Sequence, residues 1–125
     1  MVLTGGGRVF DARTGLTWQR NVPSSPYKWL DALSYCVLLS IDGVTGWRLP
    51  SMKELHTLVD VMRSAPAIDQ AAFGGTISAA FWSSSPAPFS VNHVGQVNFN
   101  SGTSQSNGPV TGGMNDPMAS VRCVR

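Results

Sequence analysis

The stretch "TGWRLPSMKEL", residues 45–55, constrains the fold more than any other part of the 125-residue chain. It requires an extended run that turns abruptly into a helix. Trp47 and Leu49 alternate with Arg48, so the run sends two apolar side chains inward and one cation outward. Pro50 keeps the residue before it out of helical backbone space. Ser51 and Glu54 then stand at capping-box spacing: the Ser51 hydroxyl can accept from the Glu54 N–H, and the Glu54 carboxylate can reach back to the Ser51 N–H. Behind this cap Leu55, Leu58, Val59 and Met62 form an apolar stripe. The stretch is a joint that aims a helix, and its residue types call for no chemistry.

Other elements can be placed around this joint. "RVFDARTGLTWQR" (8–20) predicts two short strands, with Thr14-Gly15 as the reversal. "SPYKWLDALSYCVLLS" (25–40) predicts a helix capped by Ser25, with Pro26 in its first turn. Trp29, Leu33, Cys36 and Val37 would form its inner face. Residues 77–86 hold a strand that Pro86 stops. In "VNHVGQVNFNSG" Val97 and Phe99 alternate ahead of a turn. Residues 103–117 read as a long polar loop or a pair of irregular edge strands, and 119–125 as a last strand with Val121 and Cys123 on one face. Two helices between β segments make an α+β domain, with first and last strands paired. Residues 1–7 read as a linker or an expression tail, and 8–125 as one domain.

Charge is scarce and uneven. Charged residues are 13% of the chain, about half the usual share. Between Arg63 and Arg122 there is no Lys or Arg, and residues 64–121 carry only Asp69 and Asp116. No basic stripe interleaved with aromatics is present, which argues against nucleic acid as a partner. No apolar run of about 18 residues exists, so direct membrane insertion is not expected. The residues after Met1 lack a signal-peptide pattern, which is still compatible with an excised piece of a secreted protein. Cys36 and Cys123 have no CxxC or His-rich neighbourhood. They are either buried free thiols or one disulfide between an early helix and the last strand.

"TGLTWQR", "ALSYC", "TGWRLPSMKEL", "FWSSSP", "VNFNSG" and "VRCVR" occur in the order found in the Lcl C-terminal-domain-like family, named for a bacterial collagen-like adhesin. The chain resembles that family over residues 8–125. The resemblance implies a C-type-lectin-like fold: two helices packed on a twisted, mainly antiparallel sheet with long irregular loops. It implies a Cys36–Cys123 bridge. It implies an exported or cell-surface module that binds a glycan or protein ligand, sulfated glycosaminoglycans among them, or a homotrimeric cap on a fibrous surface protein. A further alternative it implies is a retroelement-diversified receptor-binding protein, whose late loops vary and set the ligand.

The candidate ligand contacts are therefore Trp82, Ser90, Asn92, His93, Asn98, Asn100, Ser104, Gln105, Asn107 and Asn115, in the segments 85–96 and 100–117 and their approaches. Hydroxyl and amide side chains on a weakly charged scaffold suit recognition by hydrogen bonding. Trp82, at a strand end, is the aromatic expected to be partly exposed, whereas Trp18, Trp29 and Trp47 belong inside. A polyanion would have to be met by Arg8, Arg13, Arg20, Lys28, Arg122 or Arg125, although Arg48 and Arg122 are also expected to pair with carboxylates. No nucleophile–base constellation surrounds Ser83-Ser84-Ser85, His56 or His93, so no enzyme is expected. "MND" (114–116) has no partner tripeptide for calcium and reads as a turn, so no metal or cofactor is expected.

Overall fold

The computed structural model describes residues 2–88 and 90–125, with side chains from residue 6 onward. Met1, in the expected tail, and Phe89, in the expected binding segment 85–96, lie outside the described residues. The chain is α+β. A meander of β1 (Val2–Gly5), β2 (Arg8–Asp11) and β3 (Leu16–Gln19) comes first. The stretch read as a linker thus contains a strand, with Leu3 opposite Val9. Then come β4 (Tyr27–Lys28), α1 (Trp29–Leu38) and α2 (Met52–His56). A second antiparallel sheet is built from β5 (Ala80–Pro86), β6 (Val94–Asn98) and β7 (Thr103–Asn107), and β8 (Met118–Ala119) returns to β4.

The β5–β6–β7 sheet separates two apolar clusters. Phe81, Val97 and Phe99 pack with Leu55, Leu58, Val9 and Trp18 in one. Trp82 and Val94 pack with Ala32, Cys36, Trp47 and Leu49 in the other. Adjacent strand residues point to opposite faces, so Phe81 and Trp82 feed different cores. The joint at 45–55 does what its spacing requires: Trp47 and Leu49 are buried, Arg48 is exposed, and both halves of the capping box form.

Four details differ from the sequence reading. Ser25 does not cap α1; Lys28 holds that position without a side-chain bond, because Tyr27 and Lys28 are drawn out against Ala119 and Met118. The helix phase is rotated, so Ala32 and Cys36 are buried while Val37 is 69% exposed. α2 is only five residues long. It closes when the Thr57 hydroxyl and N–H both turn back to the Glu54 carbonyl, at 2.6 and 3.0 Å, which leaves Met62 exposed. The last segment pairs with β3 rather than the first strand. Thr17 and Arg125 exchange backbone bonds of 2.7 and 2.8 Å, and Arg48 and Val124 exchange two of 2.9 Å. Lying between these neighbours, residues 120–124 are all buried and show no alternation.

Arg48 grips Glu54 with two bonds, 2.6 and 2.7 Å, and the Ser51 N–H adds a third at 2.9 Å. The Arg48 fork, above all, holds the Glu54 carboxyl down to about 2, from an ordinary 4.5. A depressed carboxyl stabilises the fold fully above its unfolded value and loses that contribution as pH falls towards the folded one. Arg48 is half exposed, so solvent screens the pair. Glu54→Gln should therefore cost about 1–2 kcal/mol at neutral pH, and the gap to wild type should close as pH falls from about 4.5 to 2. Urea midpoints across that range are the check.

Candidate functional site

β6 and β7 form a hairpin around residues 98–102. Gly102 donates to the Asn98 carbonyl at 2.7 Å, and Asn100 N–H to the Asn98 side chain at 2.9 Å. Beyond this turn Thr103, Ser104, Gln105 and Ser106 are all exposed, and no residue of β7 is charged. Beside β7 runs an open groove of about 360 Å³. Met52 and Gly95 lie beneath it; Pro86, Ala87, Pro88 and Ser90 form one wall, and Ser104, Gln105 and Ser106 the other. None of these described lining residues is ionisable or aromatic.

Gly95 makes the arrangement possible. A Cβ there would lie 2.7 Å from Met52 Cγ and 2.8 Å from its Sδ. Any larger residue there would push the Met52 side chain aside, so the glycine is what lets Met52 lie against β6. Ser85 fixes the same approach by accepting from the Met52 N–H at 3.0 Å. Two polar contacts hold the strand opposite. His56 Nε2 hydrogen-bonds the Ser104 hydroxyl, tying α2 to β7. On the other face Gln105 Nε2 donates to Gln96 Oε1 at 2.8 Å, and Asn98 Nδ2 to Gln105 Oε1 at 3.4 Å.

The structure brings only some of the expected contacts together. Ser90, Ser104 and Gln105 line the groove, and Asn98 reaches it through Gln105. Asn92 and His93 sit by the base of the hairpin: the Asn92 carbonyl accepts from Val110 at 2.8 Å, and His93 Nδ1 bonds the Val91 carbonyl at 2.9 Å. Asn107 is spent locally, accepting from the Gly108 N–H at 2.9 Å. Asn100 lies at the far turn, bonded by the Ser78 hydroxyl at 2.9 Å. Asn115 is exposed on a separate loop. Its neighbour Asp116 is buried and closes that loop, accepting from the Thr111 hydroxyl at 2.8 Å and the Gly112 N–H at 2.8 Å. Burial pushes the Asp116 carboxyl up, but these bonds leave it below its ordinary range.

Trp82 is not a ligand contact. It is fully buried, and its indole N–H donates to the Tyr27 carbonyl at 2.7 Å. Its β5 neighbours are covered by α1 on one face and the 119–121 segment on the edge, so no solvent path remains. The segments 85–96 and 100–117 contain Pro86, Ala87, Pro88, Gly95 and Ser106, though none was singled out, and Met52 lies outside them. The lone glycine in "HVGQV" carries a usable signal, since a glycine inside a strand pattern marks a close approach.

Arg122 is likewise no polyanion contact, and among the described residues it pairs with no carboxylate. It is 1% exposed, and donates to the Gln19 and Arg20 carbonyls and, at 2.9 Å, to the Thr76 hydroxyl. Its guanidinium lies 4.6 Å from the Phe73 ring centre and 5.8 Å from that of Phe81. Burial lowers its pKa to about 9, so it stays a cation at neutral pH. The other cations are tied to different places. Arg13 is 3.5 Å from Asp11, Arg20 Nε donates to Ala72 O, and Lys28 Nζ donates to Gly113 O. Arg8 is half-buried on β2, and Arg125 is exposed beside Gly46.

Cys36 and Cys123 are joined, with Cα atoms 5.5 Å apart. The family model for the Lcl C-terminal domain matches residues 7–125, and the chain belongs to that family. Membership marks it as a surface or adhesin-related domain. No curated protein matches the chain. No helix among the described residues is long and apolar enough to cross a membrane.

Proposed function

We propose that the chain is a non-catalytic ligand-binding module of an extracellular or cell-surface protein, and that it binds through the groove beside β7. The observation that carries this reading is an exposed, charge-free strand of hydroxyl and amide side chains bordering an open groove, of whose described lining only Met52 packs against a core. Such a surface suits a glycan or a protein, held by hydrogen bonds and a small apolar floor. The C-type-lectin-like arrangement implied by the resemblance is supported by two helices, antiparallel sheets and a bridge from α1 to the last segment.

A sulfated glycosaminoglycan would need several converging cations. Arg13 and Arg125, both exposed, are the best placed of the original set to supply them. The test is an array of neutral and sulfated glycans, heparan and chondroitin sulfates included, alongside extracellular-matrix proteins, each with calcium and with chelator. Retention of any ligand by the disulfide-intact protein supports a binding module, and its loss on filling the groove would place the site there. Silence across the array in both conditions overturns it. Sulfate-dependent retention abolished by Arg13→Ala with Arg125→Ala would move the site away from the groove.

One observation favours a second reading, an oligomeric cap. The outer side of α1 exposes Leu30, Val37 and Leu38, and Met118 next to Lys28 on β8 is also exposed. Light scattering on the free domain separates the two: a defined trimer that binds nothing on the array is a cap alone.

A further inference from the structure

We propose that the ligand of this groove is an extended, uncharged polypeptide segment that adds to β7 as a further strand. The inference rests on the binding reading above and narrows its ligand class.

The first argument is the edge itself. In the β5–β6–β7 sheet the β5 edge is closed by the chain's own backbone: Trp82 donates to Ser120 O at 3.0 Å, Ser120 to Ala80 O at 2.9 Å, and Ser84 to Pro50 O at 2.7 Å. The outer side of β3 is closed by Arg125 and Cys123. Among the described residues no backbone bond reaches the outer edge of β7. Natural edge strands are usually blunted by lysine, proline, a bulge or short length. β7 has none of the first three: it is "TSQSN", and its pairing with β6 runs through five residues without a shift. Its five residues make an edge of about 17 Å, along which alternate residues direct unpaired N–H and C=O groups outward.

The second argument is where the side chains fall. Ser106 is opposite Gly95 and Ser104 opposite Val97, so these two serines share the face above the groove, while Gln105 pairs with Gln96 on the other face. An added strand alternates in the same way. Every second side chain of the guest would then stand on the groove's face of the sheet, beside Ser104 and Ser106 at its β7 wall. Backbone bonds would supply affinity and the groove would supply selectivity. The described lining carries no formal charge, and its nearest ionisable group, His56, is engaged by the Ser104 hydroxyl, so the guest's residues on this face are uncharged.

The third argument separates polypeptide from sugar. Sugar rings stack on exposed indole faces, and the described tryptophans do not offer one to the groove. Trp18, Trp47 and Trp82 are buried, and Trp29 is half-buried with its indole N–H committed to the Ser83 carbonyl at 2.9 Å.

The test is to pan a phage-displayed random 12-residue library against the disulfide-intact protein, in parallel with the glycan array. Enriched peptides are synthesised and titrated while amide exchange is followed. The expected result is low-charge peptides that slow exchange at 103–107 at least tenfold. Their affinity should fall at least tenfold in Ser104→Lys/Ser106→Lys and hold in Ser34→Lys, which adds charge on the exposed side of α1. Peptides that bind without protecting 103–107, or that bind the double variant equally, overturn the inference. Glycan binding without any enriched peptide overturns it and leaves the binding reading standing. Neither kind of ligand removes both. A concentration-dependent dimer that protects 103–107 would give the edge to a second copy of the chain, and also overturns it.

Discussion

Removing the Cys36–Cys123 bridge, by Cys36→Ser with Cys123→Ser, should lower unfolding free energy by about 4–5 kcal/mol in the chain-entropy account. The two residues are 87 apart in sequence, so the bridge closes most of the chain. A domain of this kind has only about 5–15 kcal/mol in total. The double variant should therefore be largely unfolded at 37 °C, or melt far lower. Local structure sharpens the effect. Cys123 N–H donates to the Gln19 side chain at 2.9 Å, and Gln19 in turn reaches the Tyr35 hydroxyl at 2.8 Å. The bridge thus secures α1, β3 and the last segment at one point. Thermal melts of oxidised protein, reduced protein and the double variant decide it. A loss below about 1 kcal/mol would show that the closed loop retains its order without the bond.

Arg122→Ala should be nearly as damaging, at about 3–5 kcal/mol. The buried guanidinium satisfies the Gln19 and Arg20 carbonyls and the Thr76 hydroxyl, and fills space against Phe73 and Phe81. Alanine leaves the carbonyls unpaired and a cavity between two rings. Arg122→Lys keeps a cation but not the planar fork, and should lose about half as much. Equilibrium urea unfolding of both variants is the measurement. An alanine variant within about 1 kcal/mol of wild type would mean that water replaces the guanidinium at no penalty.

The joint at 45–55 was legible because its cues are local. Proline, a cap residue and a glutamate three positions on act over one turn of chain. The α+β order was legible for the same reason. What was not legible depends on distant partners. Ser25 is a good cap by type, but β8, about 90 residues later, pulls Tyr27 and Lys28 into extended pairing. Trp82 precedes a polar run and a proline, which suggests exposure, yet α1 and the 119–121 segment cover it. Arg122 lies in an apolar strand pattern; nothing nearby reveals that its partners are backbone carbonyls more than 100 residues away. The groove was half legible. Ser90, Ser104 and Gln105, named as late-loop contacts, do line it, whereas Met52 comes from the distant start of α2 and lies against Gly95.

The central claim is that ligand is held beside β7, and a groove-filling substitution tests it most directly. Ser106 is exposed and lines the groove, so Ser106→Trp should occupy the space with little effect on folding. Wild type and Ser106→Trp are compared on the same array of glycans, proteins and enriched peptides, after melts confirm matched stability. The account predicts that whatever the wild type retains, the variant binds at least tenfold more weakly. Equal retention by a folded Ser106→Trp would contradict it and send the search for the site elsewhere on the surface.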